Sequence, residues 1–335
     1  MRKIKIAQIG TSTHSHGHDV FGTLKMLDDV FEIVGYALPE NEREKFPNRM
    51  PIFEGLREMT VDEILNDPEI EAVTVETEEI YLTKYALKAV KAKKHIHMEK
   101  PGGLSLSEFE EMISIAKANG TVFHTGYMYR YNPIISNLID RIDRGELGDI
   151  ISVEAQMCGY HGVNQRSWMS TFDKGGMLFF LGCHLIDLVY RIQGAPDKVT
   201  PLTCSTGKDG INSPDYGMAL LHYPHGVSFV KATDIERGGF AKRRLVVTGT
   251  KETADVCPLE VLVPGVGQYT EITNYTSEKW ADEGVKTRSE NHNRYEKMMR
   301  SFGEFVRGER ENPYTYDYEL ALYKLVLECC DIEGK

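Results

Sequence analysis

Residues 94–103, KHIHMEKPGG, decide the fold. His95–Met98 reads as a short strand, and Glu99, Lys100 and Pro101 as a polar turn with two glycines behind it. Pro101 cannot donate to a strand ladder and biases Lys100 toward an extended backbone. A carboxylate and an ammonium are therefore presented together at the carboxyl end of a strand, where open α/β sheets bind their ligands. The plainer alternative is a solvated ion pair in a surface loop.

Upstream of this turn, residues 3–9 form a β-rich run that meets Gly10 and the loop TSTHSHGHDVF. A helical pattern over about 17–29 and a second strand over 31–38 follow. Strand, glycine, helix, strand is the opening of a dinucleotide-binding βαβ unit. Thr60 and Glu63 have capping-box spacing, residues 70–75 read as a strand and residues 79–92 as a helix. Ser105 and Glu108 repeat the box ahead of a helix that runs to Asn119 and stops at Gly120, and 121–126 is one more strand. Strands alternating with helices predict a parallel sheet covered on both faces.

After Gly126 the pattern changes. A helix over about 132–144 ends at Gly145, and strands then dominate at 150–158, 199–205, 217–223, 227–234 and 243–248. Tyr223-Pro-His-Gly226 joins two of them as a hairpin. One helix, about 178–192, interrupts the strands, and two more close the chain. The fold class expected is α/β: an N-terminal Rossmann-type parallel sheet plus a C-terminal α+β domain with a large, mostly antiparallel open sheet. The expected domains are 1–126 and 127–335, with the closing helices free to pack back on the first. One face of the second sheet is left for a ligand or a partner subunit.

The 335 residues suffice for two domains. At 41% hydrophobic, 27% charged and 10% aromatic the composition is that of a globular chain. A formal net charge of −11 and the lack of a basic block argue against a nucleic-acid surface. No apolar run approaches the ~20 residues of a membrane span, and the first residues lead straight into a strand. The six cysteines show neither metal-ligand nor disulfide-framework spacing and suit reduced thiols, so a cytoplasmic location is expected.

With MEKPGG, TGYMYRYNP, DRGELGDI and GGMLFFLGCHLID in this order, the chain resembles the Gfo/Idh/MocA family, relatives of glucose–fructose oxidoreductase and inositol dehydrogenase, over essentially its whole length. The resemblance implies a Rossmann domain followed by an open-sheet domain. It also implies an NAD(P)-dependent oxidoreductase using NAD or NADP (NAD favoured) and acting on a hydroxyl of a sugar, polyol or glycoside. A carbohydrate-like small molecule is the expected partner, with a homodimer or homotetramer formed through the sheet.

Residue by residue, Lys100 matches the lysine of the E-K-P turn, which lies between substrate and nicotinamide and handles the hydroxyl proton. Glu99 orients Lys100 or a cofactor ribose. His184 matches the histidine of the D-x-G-x-H-x-x-D motif, but Phe180 stands where the family carries its aspartate. Tyr127, Tyr160 and His161 are candidates to supply the missing proton carrier, and Asp187 is read as structural. The G-x-G-x-x-G glycines fall on Gly10, Ser12 and Ser15, with Thr13 and His14 completing the cofactor loop. Leu38 replaces the acidic residue expected after the second strand, with Glu40 two residues on; of the T-P-N stretch only Thr77 is kept, ahead of Glu78 and Glu79. In the 159–168 segment Tyr160, His161, Asn164 and Arg166 are candidate substrate readers, and Trp168 matches a recurring tryptophan assigned to the cofactor. Tyr127 and Arg130 are expected at the domain junction, Arg130 as reader or clamp.

These departures keep other readings open. A tightly held, recycled cofactor fits the first. A family member that has lost redox chemistry and binds or regulates is the second. The third is a metal-dependent lyase or isomerase built on His14, His16 and His18, whose imidazoles, two residues apart, can converge on a divalent cation. Against it stands a polar loop with exposed histidines.

Overall fold

A computed structural model describes residues 2–171 and 175–332; residues 1, 172–174 and 333–335 of the two expected domains lie outside these. The chain divides into two compact units. The first takes the residues up to Tyr127 together with Tyr295–Tyr323, and the second Met128–Arg294 with the segment from Lys324.

The first unit opens with β1 (Ile4–Ile9), α1 (Gly17–Met26), β2 (Phe31–Ala37), α2 (Glu42–Lys45), α3 (Val61–Asn66), β3 (Ala72–Val75), α4 (Glu79–Lys91), β4 (His95–Met98), α5 (Leu106–Asn119) and β5 (Phe123–Thr125). The strands lie in the order β2-β1-β3-β4-β5, all parallel. Their apolar side chains are sealed on both faces: Ile4, Ile6, Ile9, Val73, Val75, Ile96 and Met98 have no exposed surface. Local chemistry sets the helix ends as the sequence predicts. Thr60 and Glu63 form a reciprocal capping box at α3, Ser105 caps α5 through the Glu108 amide, and Gly120 closes α5 at a left-handed φ of 65°. The short helix α2 was not foreseen.

The chain goes from β1 out to β2 and then crosses back to β3 on the other side of β1. The strand order therefore reverses between β1 and β3, and a doubly wound sheet opens its ligand crevice outside the carboxyl ends at that point. Gly10 follows one strand there and Glu76 and Thr77 the other, with Glu99 and Lys100 one strand further on.

The second unit contains α6 (Pro133–Asp143), β6 (Ile150–Cys158), α7 (Val163–Met169), a π-helical turn at Leu178–Gly182 leading into α8 (Cys183–Gln193), β7 (Lys198–Cys204), β8 (Tyr216–Tyr223), β9 (Gly226–Thr233), β10 (Arg244–Gly249), β11 (Thr253–Val256), the hairpin β12 (Val261–Val263) and β13 (Gly267–Tyr269), β14 (Glu271–Tyr275) and β15 (Val285–Arg288). Eight strands make one sheet in the order β15-β14-β11-β10-β6-β9-β8-β7, antiparallel except where β6 meets β9. Strand alternation places Val153, Ala155, Ala219, Leu221, Val230, Ala232, Leu245 and Val247 on one fully buried face. Leu202, Met218, Leu220 and Phe229 point the other way, where Leu202 stays 48% exposed. The sequence reading stopped at residue 248 and missed β11 to β15. Its helix over 178–192 begins as a π turn, and α8 is the α-helical part.

The chain closes with α9 (Glu296–Val306) and α10 (Tyr316–Cys329). Within the first unit, Phe302 of α9 stacks on His124 at 5.3 Å, and Gly303 presses so closely on Val30 that an added Cβ would meet its Cγ1 at 2.4 Å. Tyr323 of α10 stacks on Phe109 at 3.9 Å and donates its hydroxyl to the Gly103 carbonyl at 2.7 Å. That bond ties down the glycines behind the Glu99–Lys100 turn.

Candidate active site

In the first unit the turn after β1 is shaped by one glycine. Gly10 has φ +90°, and a Cβ there would stand 2.6 Å from Thr77 Cγ2 and 2.7 Å from the Thr77 nitrogen. Thr77, fully buried, therefore packs the turn from behind. The third fingerprint glycine is displaced rather than lost. Gly17, first residue of α1, lies against Glu76, where an added Cβ would be 2.8 Å from the Glu76 Cβ. The helix approaches β3 as closely as a dinucleotide-binding unit requires.

The amides of this loop are used within the protein. Gly10 donates to the Ala37 carbonyl at 2.8 Å, Ser12 to that of Glu76 at 3.0 Å and Ser15 to that of Ser12 at 3.2 Å. The His14 amide donates to Ser12 Oγ and the Gly17 amide to Ser15 Oγ, each at 3.1 Å. Two amides go to acidic side chains: Thr11 N donates to Glu42 Oε2 at 2.8 Å, and His16 N to Glu99 Oε2 at 3.1 Å. Ser12 and Ser15 thus brace the loop through their hydroxyls.

Glu99 is the hub. Its carboxylate also meets His16 Nδ1 at 2.9 Å and Lys100 Nζ at 3.7 Å, and Glu99 and Lys100 are each 1% exposed. Burial alone pushes Glu99 up, but the His16 and Lys100 charges and the two hydrogen bonds from His16 outweigh it and lower the carboxyl to about 2. Behind it, Glu76 is fully enclosed with no hydrogen-bond partner on either carboxyl oxygen among the described residues. Burial, then the Glu99 charge, hold it well above the ordinary range. His97 Nε2 lies 3.6 Å from Glu76, and its Nδ1 is 2.8 Å from His124 Nδ1; burial drops His97 to about 4. Burial likewise raises Glu79 to about 8 despite Lys100. Glu42, Glu76, His97 and His124 were missed in the sequence. The signal was a glutamate directly after the short β-rich run AVTV and a histidine inside HIHM.

His14, His16 and His18 do not converge. His16 turns to Glu99 while His18 pairs with Asp19 at 3.6 Å. No cluster of three or more His, Cys, Asp or Glu side chains able to hold a metal ion occurs among the described residues. Thr13 is exposed, and its carbonyl accepts from Arg49 Nη2 at 3.4 Å. Glu40 is held by Lys84 and by the Tyr85 hydroxyl at 2.6 Å. Glu78 is paired with Lys45 at 3.2 Å, whereas Glu79 is buried.

In the second unit, Phe180 lies in a π turn and His184 in the α-helix that follows it, so the run between them is not one continuous α-helix. Phe180 packs edge-on against Trp168 at 5.2 Å, and the His184 ring meets Tyr129 edge-on at 5.2 Å. Trp168 thus lies in this unit against Phe180. His184 is 1% exposed on α8. Tyr129 donates to Glu260 at 2.7 Å, and Glu260 is held low against its own burial by Arg294 and Arg243. Arg130 grips Asp187 through Nε at 3.0 Å and Nη2 at 2.7 Å, a buried clamp wholly inside the second unit. Arg166, expected to read substrate, is 1% exposed and committed to Asp209 and, at 3.4 Å, to Asp234. These pairs tie the 160–168 segment to Asp209 and Asp234. Tyr160, His161 and Asn164 are exposed there, Tyr160 lying under Arg237 at 4.6 Å. Tyr127 is buried at the end of the first unit.

A model of the oxidoreductase family with an NAD-binding Rossmann fold matches residues 4–127, and a GFO/IDH/MocA C-terminal domain model matches residues 135–255. The chain is 26% identical over 244 residues to an uncharacterized oxidoreductase, YhhX, of Escherichia coli, covering 69% of this chain and 68% of that one. It is 26% identical over 226 residues to the scyllo-inositol 2-dehydrogenase (NADP(+)) IolW of Bacillus subtilis, covering 66% of this chain and 61% of that one. The matched stretches thus span about two thirds of those relatives. A 3-ketoreductase from Actinomadura kijaniata, solved with TDP-benzene and NADP, shares the fold with a TM-score of 0.77 over 98% of this chain and 96% of that one, at 16% identity.

The first unit fits a nicotinamide dinucleotide. Gly10 makes the tight turn at the switch point, Gly17 gives the close helix approach, and the buried Thr11 hydroxyl has no partner among the described residues. Gly10, Thr11, Thr13 and Thr77 would hold the nucleotide, which would supply the redox chemistry.

Proposed function

The chain belongs to the Gfo/Idh/MocA family of NAD(P)-dependent oxidoreductases, and on that premise we propose that it interconverts a hydroxyl and a carbonyl on a sugar, polyol or related substrate, with Lys100 handling the proton. The observation that carries this reading is the sealed Glu99–Lys100 pair at the carboxyl end of β4. The nicotinamide cofactor, when bound, supplies the hydride chemistry. Lys100 takes the hydroxyl proton as its amine or returns it as its ammonium, and Glu99 stabilises the charged form beside it. Enclosure strengthens both interactions, since few water dipoles screen them. His184, with no aspartate at position 180, is the candidate substrate contact of the second unit, and Asn164 and His161 are candidates to read hydroxyls. The outer sheet face with Leu202, Met218, Leu220 and Phe229 is the candidate surface for a homo-oligomer.

Thermal unfolding with NAD+, NADH, NADP+ and NADPH, alongside a scan of denatured extract for co-purified nucleotide, tests the reading and decides the cofactor. A ligand at about 100 times its dissociation constant adds about 2.7 kcal/mol. A nucleotide shift followed by nicotinamide absorbance change with a sugar or polyol is expected. Absence of both a shift and a bound nucleotide would sink the oxidoreductase reading. A shift with no turnover across sugars and polyols would favour a non-redox binding protein, the reading to which Phe180 lends weight.

A further inference from the structure

The loop between β1 and α1 lends two amides to acids from elsewhere in the unit, Thr11 N to Glu42 and His16 N to Glu99. A phosphate received by this loop competes for those amides, since the turn that leads from a strand into a helix N-terminus is where such units take phosphates; His16 stands at the start of α1 and Thr11 in the turn before it. The two acids lose unequally. Glu99 keeps the His16 ring and Lys100 beside it. Glu42 is fully enclosed; Thr11 N is the donor the structure gives its Oε2, and its Oε1 has no partner among the described residues. A buried carboxylate stripped of its donor, with a polyanion arriving nearby, cannot stay charged.

Resting on the cofactor reading above, we propose that binding of the dinucleotide's phosphates to residues 10–17 is coupled to uptake of a proton by Glu42. The surroundings favour this. Burial raises the Glu42 carboxyl to about 8 against the Thr11 hydrogen bond; Glu78 and Glu40 add negative charge and Lys45 opposes them. Loss of the Thr11 bond removes the main influence holding the group down. The sign follows. With the Glu42 carboxyl pushed up to about 8 by burial and further by loss of the Thr11 bond, the complex binds more protons above pH 8 and affinity falls as pH rises, by up to about tenfold per unit.

Calorimetric titration of the full chain with NAD+ and NADP+ at pH 8.5, in two buffers of different ionisation enthalpy, counts the protons. The nucleotide phosphates are fully ionised there and contribute none. For a nucleotide that binds, the wild type is expected to take up most of one proton. Glu42→Gln keeps an acceptor for Thr11 N–H and should bind with little uptake and a flat affinity between pH 7.5 and 9. Binding without uptake in the wild type, or undiminished uptake in Glu42→Gln, overturns the coupling while leaving the cofactor reading intact. If Glu42→Gln does not fold, Glu79→Gln is the control, since the Glu79 carboxyl is also raised to about 8: uptake that persists there upholds Glu42 as the acceptor, and uptake that vanishes there, or a flat wild-type dissociation constant over that range, overturns the coupling. No binding of either nucleotide at any pH removes the cofactor reading and the coupling with it.

Discussion

Glu99 binds His16 twice, taking the backbone amide at 3.1 Å and ring Nδ1 at 2.9 Å, and so joins the turn after β4 to the start of α1. The lysine that follows Glu99 in sequence is held against the same carboxylate at 3.7 Å. One acid thereby positions both the first helix of the nucleotide-type unit and the group assigned to proton transfer.

Removing the ammonium while keeping bulk tests that assignment. Lys100→Met should lower kcat by roughly 10²–10⁴, the span of general acid–base contributions. The nucleotide-induced shift in Tm should persist. Steady-state rates near the wild-type value would take Lys100 out of the chemistry.

Glu79 gives a pH-dependent signature of its own. Its folded carboxyl is raised to about 8 from the ordinary 4.5, with burial the leading cause. Between those values the folded chain binds more protons than the unfolded one, so this group's contribution to stability declines as pH rises from 4.5 to 8 and is constant above. Glu79→Gln should therefore raise Tm at pH 8.5 and leave it nearly unchanged at pH 4.5. Equal effects at both values in a melting series would contradict this.

Gly10 tolerates no side chain. With φ +90° and Thr77 atoms at 2.6 and 2.7 Å from a built Cβ, Gly10→Ala should cost about 2–5 kcal/mol in chemical denaturation. It should abolish any nucleotide shift even where the variant folds.

The Arg130–Asp187 clamp is buried, with two guanidinium nitrogens on one carboxylate. Asp187→Ala removes the carboxylate that Arg130 grips through two nitrogens and should cost about 3–5 kcal/mol in urea unfolding. A loss below ~1 kcal/mol would mean that water reaches the pair.

On the outer sheet face, Leu220 pairs with Phe229 across β8 and β9. If this face joins copies of the chain, Leu220→Asp with Phe229→Asp should convert the assembly to monomers in sedimentation velocity. A monomeric wild type would end that proposal.

Much of the first unit was legible because its signals are local. Alternating strands and helices, the Thr60 capping box and the glycine ending α5 need only neighbouring residues. The Glu99–Lys100 turn was legible for the same reason, since proline and glycine punctuate it. What escaped depends on distant partners. Glu42 looks like a helix-surface glutamate until the 31-residue step to Thr11 is known. Gly17 stands outside the glycine spacing yet does its packing because Glu76 faces it. Arg166 reads as an exposed recognition residue until Asp209 and Asp234 are seen to neutralise it. The π turn between Phe180 and His184 escaped because nothing local in GGMLFFLGCHLID marks a change of helix type. The strands beyond residue 250 are short, three to five residues each, and too brief for alternation to show.

The first unit draws on Tyr295–Tyr323, residues made after the whole of Met128–Arg294. On a ribosome the nucleotide-type sheet must wait for almost the entire chain before Phe302 can cover His124 and Tyr323 can cover Phe109. The usual order, in which the amino-terminal domain is finished first, is therefore interrupted. A nascent chain stalled near residue 290 carries an open apolar flank on its earliest-made part, and expression of residues 1–127 alone asks for a fold whose last side chains have been left off.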